Sequence, residues 1–260
     1  MKNMLFAAAL IAALIPMASA QDTKSHPAAS LGEKIQVRGT ATVMSHDWQP
    51  AQAPTAPSYC KPCYFYSGDM DPNNANNNGL ANEDDQIVSD SHIYSPFKVA
   101  AVGAMVSGLF VNSLDTVGAI DSVTPWSISK GVKLGVAGKV VAHGTAKSTD
   151  TPTGRSAFGL TEYTHLVKFK AHSLKGGTYF ENVTPQCITG SSCGSARYFE
   201  SDEEDDPKPL NHVGGKNILD DSFWNSTSFG QNYSATWGST GGCGGIGCDM
   251  FSAGVLGKKI

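Results

Sequence analysis

The chain has 260 residues, a formal net charge of -4 and only 16% charged residues, against 28 glycines. That mild acidity argues against nucleic acid and anionic membrane surfaces as partners. Low charge with abundant Gly, Asn, Ser and Thr argues against a helical bundle and for a turn-rich, exported all-β protein.

Residues 1–20 read as a secretory signal peptide. Lys2 supplies the positive start, Leu5 to Pro16 is mostly apolar, and Ala18-Ser19-Ala20 is an A-x-A cleavage site before Gln21. The apolar run is too short for a membrane-spanning helix. No Cys follows the cleavage site to carry a lipid, and the C-terminal residues 253–260 have no long apolar tail. The expected product is secreted or periplasmic, has no membrane insertion after cleavage, and carries a charge of about -5 once Lys2 is removed.

Residues 21–33 are polar, Lys34–Val43 alternates like a strand, and 47–59 carry Pro50, Pro54 and Pro57. Segment 21–59 therefore reads as an extended N-terminal arm with one candidate strand, and 60–260 as the main domain. From Cys60 onward the hydrophobic period is two. Strands are expected at Ser91–Val99, Ala104–Val111, Pro125–Lys130, Lys139–Thr145, Leu160–Lys170, Gly177–Thr184, Ala196–Glu200 and Met250–Leu256. Within Thr161–Ala171, Tyr163, His165, Val167 and Phe169 share one face, and Glu162, Lys168 and Lys170 the other, as in a half-buried antiparallel strand. Val99–Leu114 is apolar enough for a helix, but Gly103, Gly108 and the β-branched residues favour two strands and a turn. The expected fold class is all-β: an antiparallel β-sandwich, jelly-roll-like, with an extended N-terminal arm.

The six cysteines form three local pairs, Cys60 with Cys63, Cys187 with Cys193, and Cys243 with Cys248. In an oxidising compartment these read first as disulfides, each bracketing a turn. Closing such small loops pins loop shape more than it stabilises the fold. Cys60-Lys-Pro-Cys63 also has the look of a thiol-exchange motif, but no helix signal follows it to lower a thiol pKa. A zinc site built from these cysteines is disfavoured by export.

Residues 66–85 pack oxygen ligands and turn formers into one loop. Starting at Asn74, an EF-hand-like frame places Asn74, Asn76, Asn78, Gly79, Asn82 and Asp85 at positions one, three, five, six, nine and twelve. Asp69, Asp71 and Asn73 precede it, and Glu83 and Asp84 add negative charge. This is a candidate Ca2+ site. Against it, Asn stands where Asp is usual at the first position, and Asp replaces the bidentate Glu at the last. The alternative is a loop of Asx turns, in which these side chains bond their own backbone.

Ser67-Gly-Asp-Met-Asp-Pro-Asn-Asn-Ala-Asn-Asn-Asn-Gly-Leu-Ala-Asn-Glu83 resembles the GDfDPNNpNaNGLaNE opening of a group of exported bacterial β-sandwich domains. Those domains stand alone behind a signal peptide or are joined to surface-anchoring tails. Weaker similarities continue at Val88–Phe97, Trp126–Val132, Gly159–Tyr163, Gly177–Pro185 and Asp221–Gly230, so the resemblance covers roughly 65–258. It implies a β-sandwich and export. The group has no assigned catalytic residues, so it implies none here. The cysteine pairs and the acidic run after Glu200 depart from its pattern.

Trp126, Trp224 and Trp237, with Tyr94 and Tyr233, can form a platform for stacking on sugar rings, or can serve as core residues. Ser201-Asp-Glu-Glu-Asp-Asp206 reads as a solvated loop. His165 reads as a hydrogen-bonded core histidine. The signature H-E-x-x-H is absent from the sequence, as is a phosphate-binding glycine loop, and the one G-x-S-x-G match, Gly190–Gly194, overlaps the turn between Cys187 and Cys193. Three N-glycosylation sequons, at Asn182, Asn225 and Asn232, carry no weight beside a bacterial-type resemblance. The expectation is a non-catalytic surface or extracellular protein, a binding module for glycan or a structural component of the envelope or matrix. The competing expectation is a secreted polysaccharide hydrolase using carboxylates from 69–85 or 201–206, which requires a pair about 5–9.5 Å apart in a cleft.

Overall fold

A computed structural model describes residues 57–70, 79–116, 123–188, 190–201, 222–236 and 251–260. The expected signal peptide, most of the arm, the acidic run after Ser201, and Asp71, Asn74, Asn76, Asn78, Trp237, Cys243 and Cys248 lie outside the described residues.

The strands are β1 Cys63–Tyr66, β2 Gly79–Ala81, β3 Ser91–Val99, β4 Ala104–Asp115, β5 Val123–Lys130, β6 Lys139–Ala157, β7 Leu160–Leu174, β8 Gly177–Val183, β9 Tyr198–Ser201, β10 Phe223–Ser226, β11 Gln231–Ala235 and β12 Ala253–Lys259. A 3-10 turn, Ser191–Ser195, precedes β9. The fold is all-β and antiparallel, as expected. The described strands join into one 12-stranded sheet in the order β1-β12-β4-β7-β6-β5-β8-β3-β10-β11, with β9 pairing both β2 and β4. The sheet curls into a half-barrel.

Two local features place the strands. Between β3 and β4 the chain turns at 100–103, where Gly103 adopts φ 92 and donates its N–H to Ala100 O at 2.8 Å. A side chain there is disfavoured by the left-handed backbone. That turn splits the apolar run Val99–Leu114 into two strands rather than a helix. The second feature is β6. Its first part pairs β5 through Lys139–Lys147, and its second part pairs β7 through Ser148–Ala157. The expected strand ended at Thr145; the chain stays extended because a new partner takes over where the first stops.

The inner face of the curl holds the main core. Leu109, Val111 and Val167 come from the β4–β7 half, and Phe97, Ile128 and Val183 from the β3–β8–β5 half. Each such side chain contributes about 1.5–3 kcal/mol when fully buried. Trp126 lies against Gly144 of β6, whose Cβ position is 3.1 Å from the indole. Its ring stacks on Phe169 of β7 at 3.7 Å, bridging the place where β6 leaves β7.

The outer face of β4 and β7 is also covered. Residues 59–66 lay Tyr59, Cys60 and Tyr66 over Phe110, Leu166 and Leu256. Glu162, expected on the polar face of a half-buried strand, is therefore fully buried. Arg155 compensates it, with Nε 2.6 Å from Glu162 Oε2 and a second nitrogen 2.8 Å from Asp69 Oδ1. Burial alone lowers the Arg155 pKa; the two carboxylates reverse this and raise it.

Candidate functional site

Asn82 and Glu83 of the opening motif are fully buried and engaged by distant parts of the chain, whereas Asp69 stays partly exposed. Asn82 Oδ1 accepts from Ile93 N at 3.2 Å. Its Nδ2 donates to Val183 O at 2.9 Å and to Glu200 Oε2. Glu83 accepts from Arg197 Nε and from Tyr198 N, both at 2.9 Å. Burial pushes its carboxyl well up, and Arg197 pulls against that. Asp85 Oδ1 accepts from Ile87 N at 2.7 Å and Val88 N at 3.0 Å, the geometry of an Asx turn. Asp69 binds Arg155 and the Tyr66 hydroxyl. Asp69, Asn82, Glu83 and Asp85 thus spend oxygens on the fold. Among the described residues, no three His, Cys, Asp or Glu side chains group as a metal site does.

Beyond the motif, the interior carries a polar layer around His165, which is a hydrogen-bonded core histidine as expected, with carboxylate partners that the sequence did not point to. His165 is 2% exposed and lies between two carboxylates, with Nδ1 2.9 Å from Asp150 Oδ1 and Nε2 3.2 Å from Asp115 Oδ2. Burial alone lowers its pKa; Asp115 and then Asp150 outweigh this and push it up to about 10. Ser113 Oγ lies 3.2 Å from His165 Nε2, so Ser113, His165 and Asp150 follow the order of a hydrolytic triad. The chemistry differs. An imidazole protonated on both nitrogens has no lone pair to take a serine proton, and Ser113 is fully buried and donates to Asp115. The group is an internal ion pair. Deeper in the layer, Glu181 and Glu200 are both buried. They are sealed inside, not set across an open cleft.

Among the described residues, an open cleft faces outward. Register places Tyr94 of β3, Asn182 of β8, Ser127 of β5 and His143 of β6 in one row: Ser127 is opposite both His143 and Asn182, and Tyr94 is one residue from the Ser95–Glu181 pair. With His92 and Trp126 they line a cleft of about 340 Å3, at the lower end of ligand-site volumes. Tyr94 packs on Tyr233 with ring centroids 5.3 Å apart. Burial, then the Tyr233 contact, raises the Tyr94 pKa, so its hydroxyl stays protonated. His143 is exposed. The cleft thus offers hydroxyl and imidazole groups beside a pair of aromatic rings, while the Asn182 amide is bonded to Ile93 O, Asn82 Oδ1 and Thr184 Oγ1.

Of the tryptophans expected in a platform, Trp224 is a core side chain, fully buried, with its indole N–H donated to Ser91 Oγ at 3.0 Å. Trp126 is buried against Phe169 but contributes to the cleft lining. Tyr94 and Tyr233, named with them from the sequence, are the ring pair beside the cleft. Cys60 bonds to Cys63 with Cα atoms 4.6 Å apart, and Cys187 to Cys193 at 5.1 Å. The second disulfide packs on Tyr198, whose ring meets His165 edge-on at 5.7 Å, so it fixes the approach to β9. No helix of the described residues is long and apolar enough to cross a membrane. No protein family, curated protein or solved structure matches the chain.

Proposed function

We propose that this is an exported, non-catalytic binding module whose outward cleft between β3, β8, β5 and β6 takes a glycan. The supporting observation is the cleft itself, in which Ser127, His143 and Asn182 stand beside the Tyr94–Tyr233 ring pair. Sugars are bound by flat aromatic faces against their C–H groups and by polar side chains for their oxygens, and this cleft supplies the rings together with the Ser127 hydroxyl and the His143 imidazole. The two disulfides are compatible with an extracellular location. A sandwich architecture and secretion by a cleaved signal peptide belong to the same reading.

A glycan array probed with the full chain tests it, followed by calorimetric titration of the best ligands. Tyr94→Ala and His143→Ala are each expected to weaken binding at least about tenfold while leaving thermal unfolding of the His143 variant unchanged. Binding that survives both substitutions moves the site elsewhere. Turnover of a bound polysaccharide supports the hydrolase alternative.

A further inference from the structure

Glu181 and Glu200 come from different halves of the curled sheet, Glu181 from β8 and Glu200 from β9. Their relative exposures are 0% and 1%. Ser95 of β3 lies directly opposite Glu181 in the ladder, so both side chains project from the same face at short separation. Ser95 Oγ also donates to Glu200 Oε1 at 3.4 Å. The two carboxyls therefore meet beside Ser95, inside the curl.

Their donors are unequal. Glu200 receives Asn82 Nδ2 on one oxygen and Ser95 Oγ on the other. Glu181 has no hydrogen-bond partner on either oxygen. Two buried, unpaired carboxylates side by side are prohibitively costly. A protonated carboxyl removes one charge and becomes a donor, and the ionised partner in reach is the acceptor. The donors around Glu200 favour its ionised form, so the proton rests on Glu181.

We propose that Glu181 and Glu200 share a single proton, and that this proton clasps the two halves of the sheet together. The ionisable groups on the packed elements have other partners. Asp115 of β4 faces His165 of β7, and Asp150 of β6 faces the same imidazole. Glu83, following β2, faces Arg197. Tyr179 of β8 lies under Lys130 of β5, and Tyr198 of β9 packs on His165. Among the described residues, the charge that acts on Glu181 is that of Glu200.

The clasp makes folding a proton-binding step. Unfolded glutamates ionise near pH 4.3, whereas the folded pair keeps its proton above that. The contribution is therefore complete below the ordinary glutamate range and is lost as pH rises. Above that range one extra proton is held by the native state, so the folding equilibrium constant falls about tenfold per pH unit from this pair. The inference is independent of what the cleft binds.

Urea unfolding of the full chain from about pH 6 to about pH 9 tests the clasp against Glu181→Gln. The amide keeps the shape and donates to Glu200, but does not titrate. The expected result is that the wild-type folding constant loses about tenfold more per pH unit than the variant. Parallel slopes overturn the proposal. So does a rise in Tm with added calcium that the wild type shows and Glu181→Gln lacks, because the pair then holds a cation. Should Glu181→Gln fail to fold, infrared spectra of the wild type decide. The carbonyl band of a protonated buried acid at neutral pH supports the clasp, and its absence overturns it.

Discussion

Asn82 stands in for a peptide unit beside Val183: its Nδ2 donates to the Val183 carbonyl at 2.9 Å, while its Oδ1 accepts from Ile93 N across on β3. The backbone pairing of β3 with β8 ends at Ser95 and Glu181. Beyond that point the strands part, and one side-chain amide satisfies a donor on one and an acceptor on the other.

Asn82→Ala removes these bonds, along with one to Glu200 and one from Asn182 Nδ2, and leaves Ile93 N, Val183 O and one oxygen of Glu200 buried without these partners. The expected cost is about 2–4 kcal/mol, since an orphaned buried polar group costs about 1–3 kcal/mol and several are orphaned together. Urea unfolding measures it. A loss under about 0.5 kcal/mol, the scale of an ordinary surface substitution, contradicts the bridging role.

His165 carries a pH dependence with a definite sign. Its folded pKa is raised to about 10 by Asp115 and Asp150 against the effect of burial, above the unfolded value of about 6.5. Its contribution is fully present below about pH 6.5 and is lost as pH rises through about 10. Replacing it with Gln removes that part of the alkaline sensitivity. The same change costs about 3–5 kcal/mol near neutrality, because Asp115 and Asp150 lose the cation between them. The urea midpoint plotted against pH for both proteins is the measurement. A variant whose curve runs parallel to the wild type contradicts the charged imidazole.

Chelation is expected to leave the Tm unchanged. Asp69, Asn82, Glu83 and Asp85 already bond to Arg155, the β3–β8 backbone, Arg197 and the 87–88 amides. Glu83 spends both oxygens and Asn82 its amide oxygen on the fold, while Asp69 and Asp85 engage Oδ1 alone, and two spare carboxylate oxygens fall short of the six to eight ligands calcium takes. Thermal unfolding with EDTA and with millimolar calcium checks this. A calcium-dependent rise of several degrees that Glu181→Gln retains contradicts this expectation.

What the sequence made legible is what depends on neighbours. Alternation placed β3 at Ser91–Val99 with both ends correct, and Gly103 marked the turn into β4. Asp85 made its Asx turn within three residues. The four strands missed, β1, β2, β10 and β11, have five residues or fewer, too few for a period to emerge. The inward turn of Asn82 and Glu83 was illegible for another reason. Their partners Glu200 and Arg197 lie more than a hundred positions away, and polar residues in a glycine- and asparagine-rich run look like loop ligands until those partners are placed. Glu162 was misplaced for the same cause, since residues 59–66 cover the face that alternation assigns to solvent. His165 was readable as a core histidine, but its two carboxylates come from β4 and β6, which no local pattern links to it.

The change of partner within β6 has a consequence for how the molecule can come apart. Because one uninterrupted strand is stitched to β5 along Lys139–Lys147 and to β7 along Ser148–Ala157, neither half owns a border of its own. A fragment ending near Lys147 keeps a strand that has lost its continuation, and one beginning near Ser148 leaves Phe169 without Trp126. The half-barrel is thus indivisible at its middle, and rupture there spreads to both sides at once.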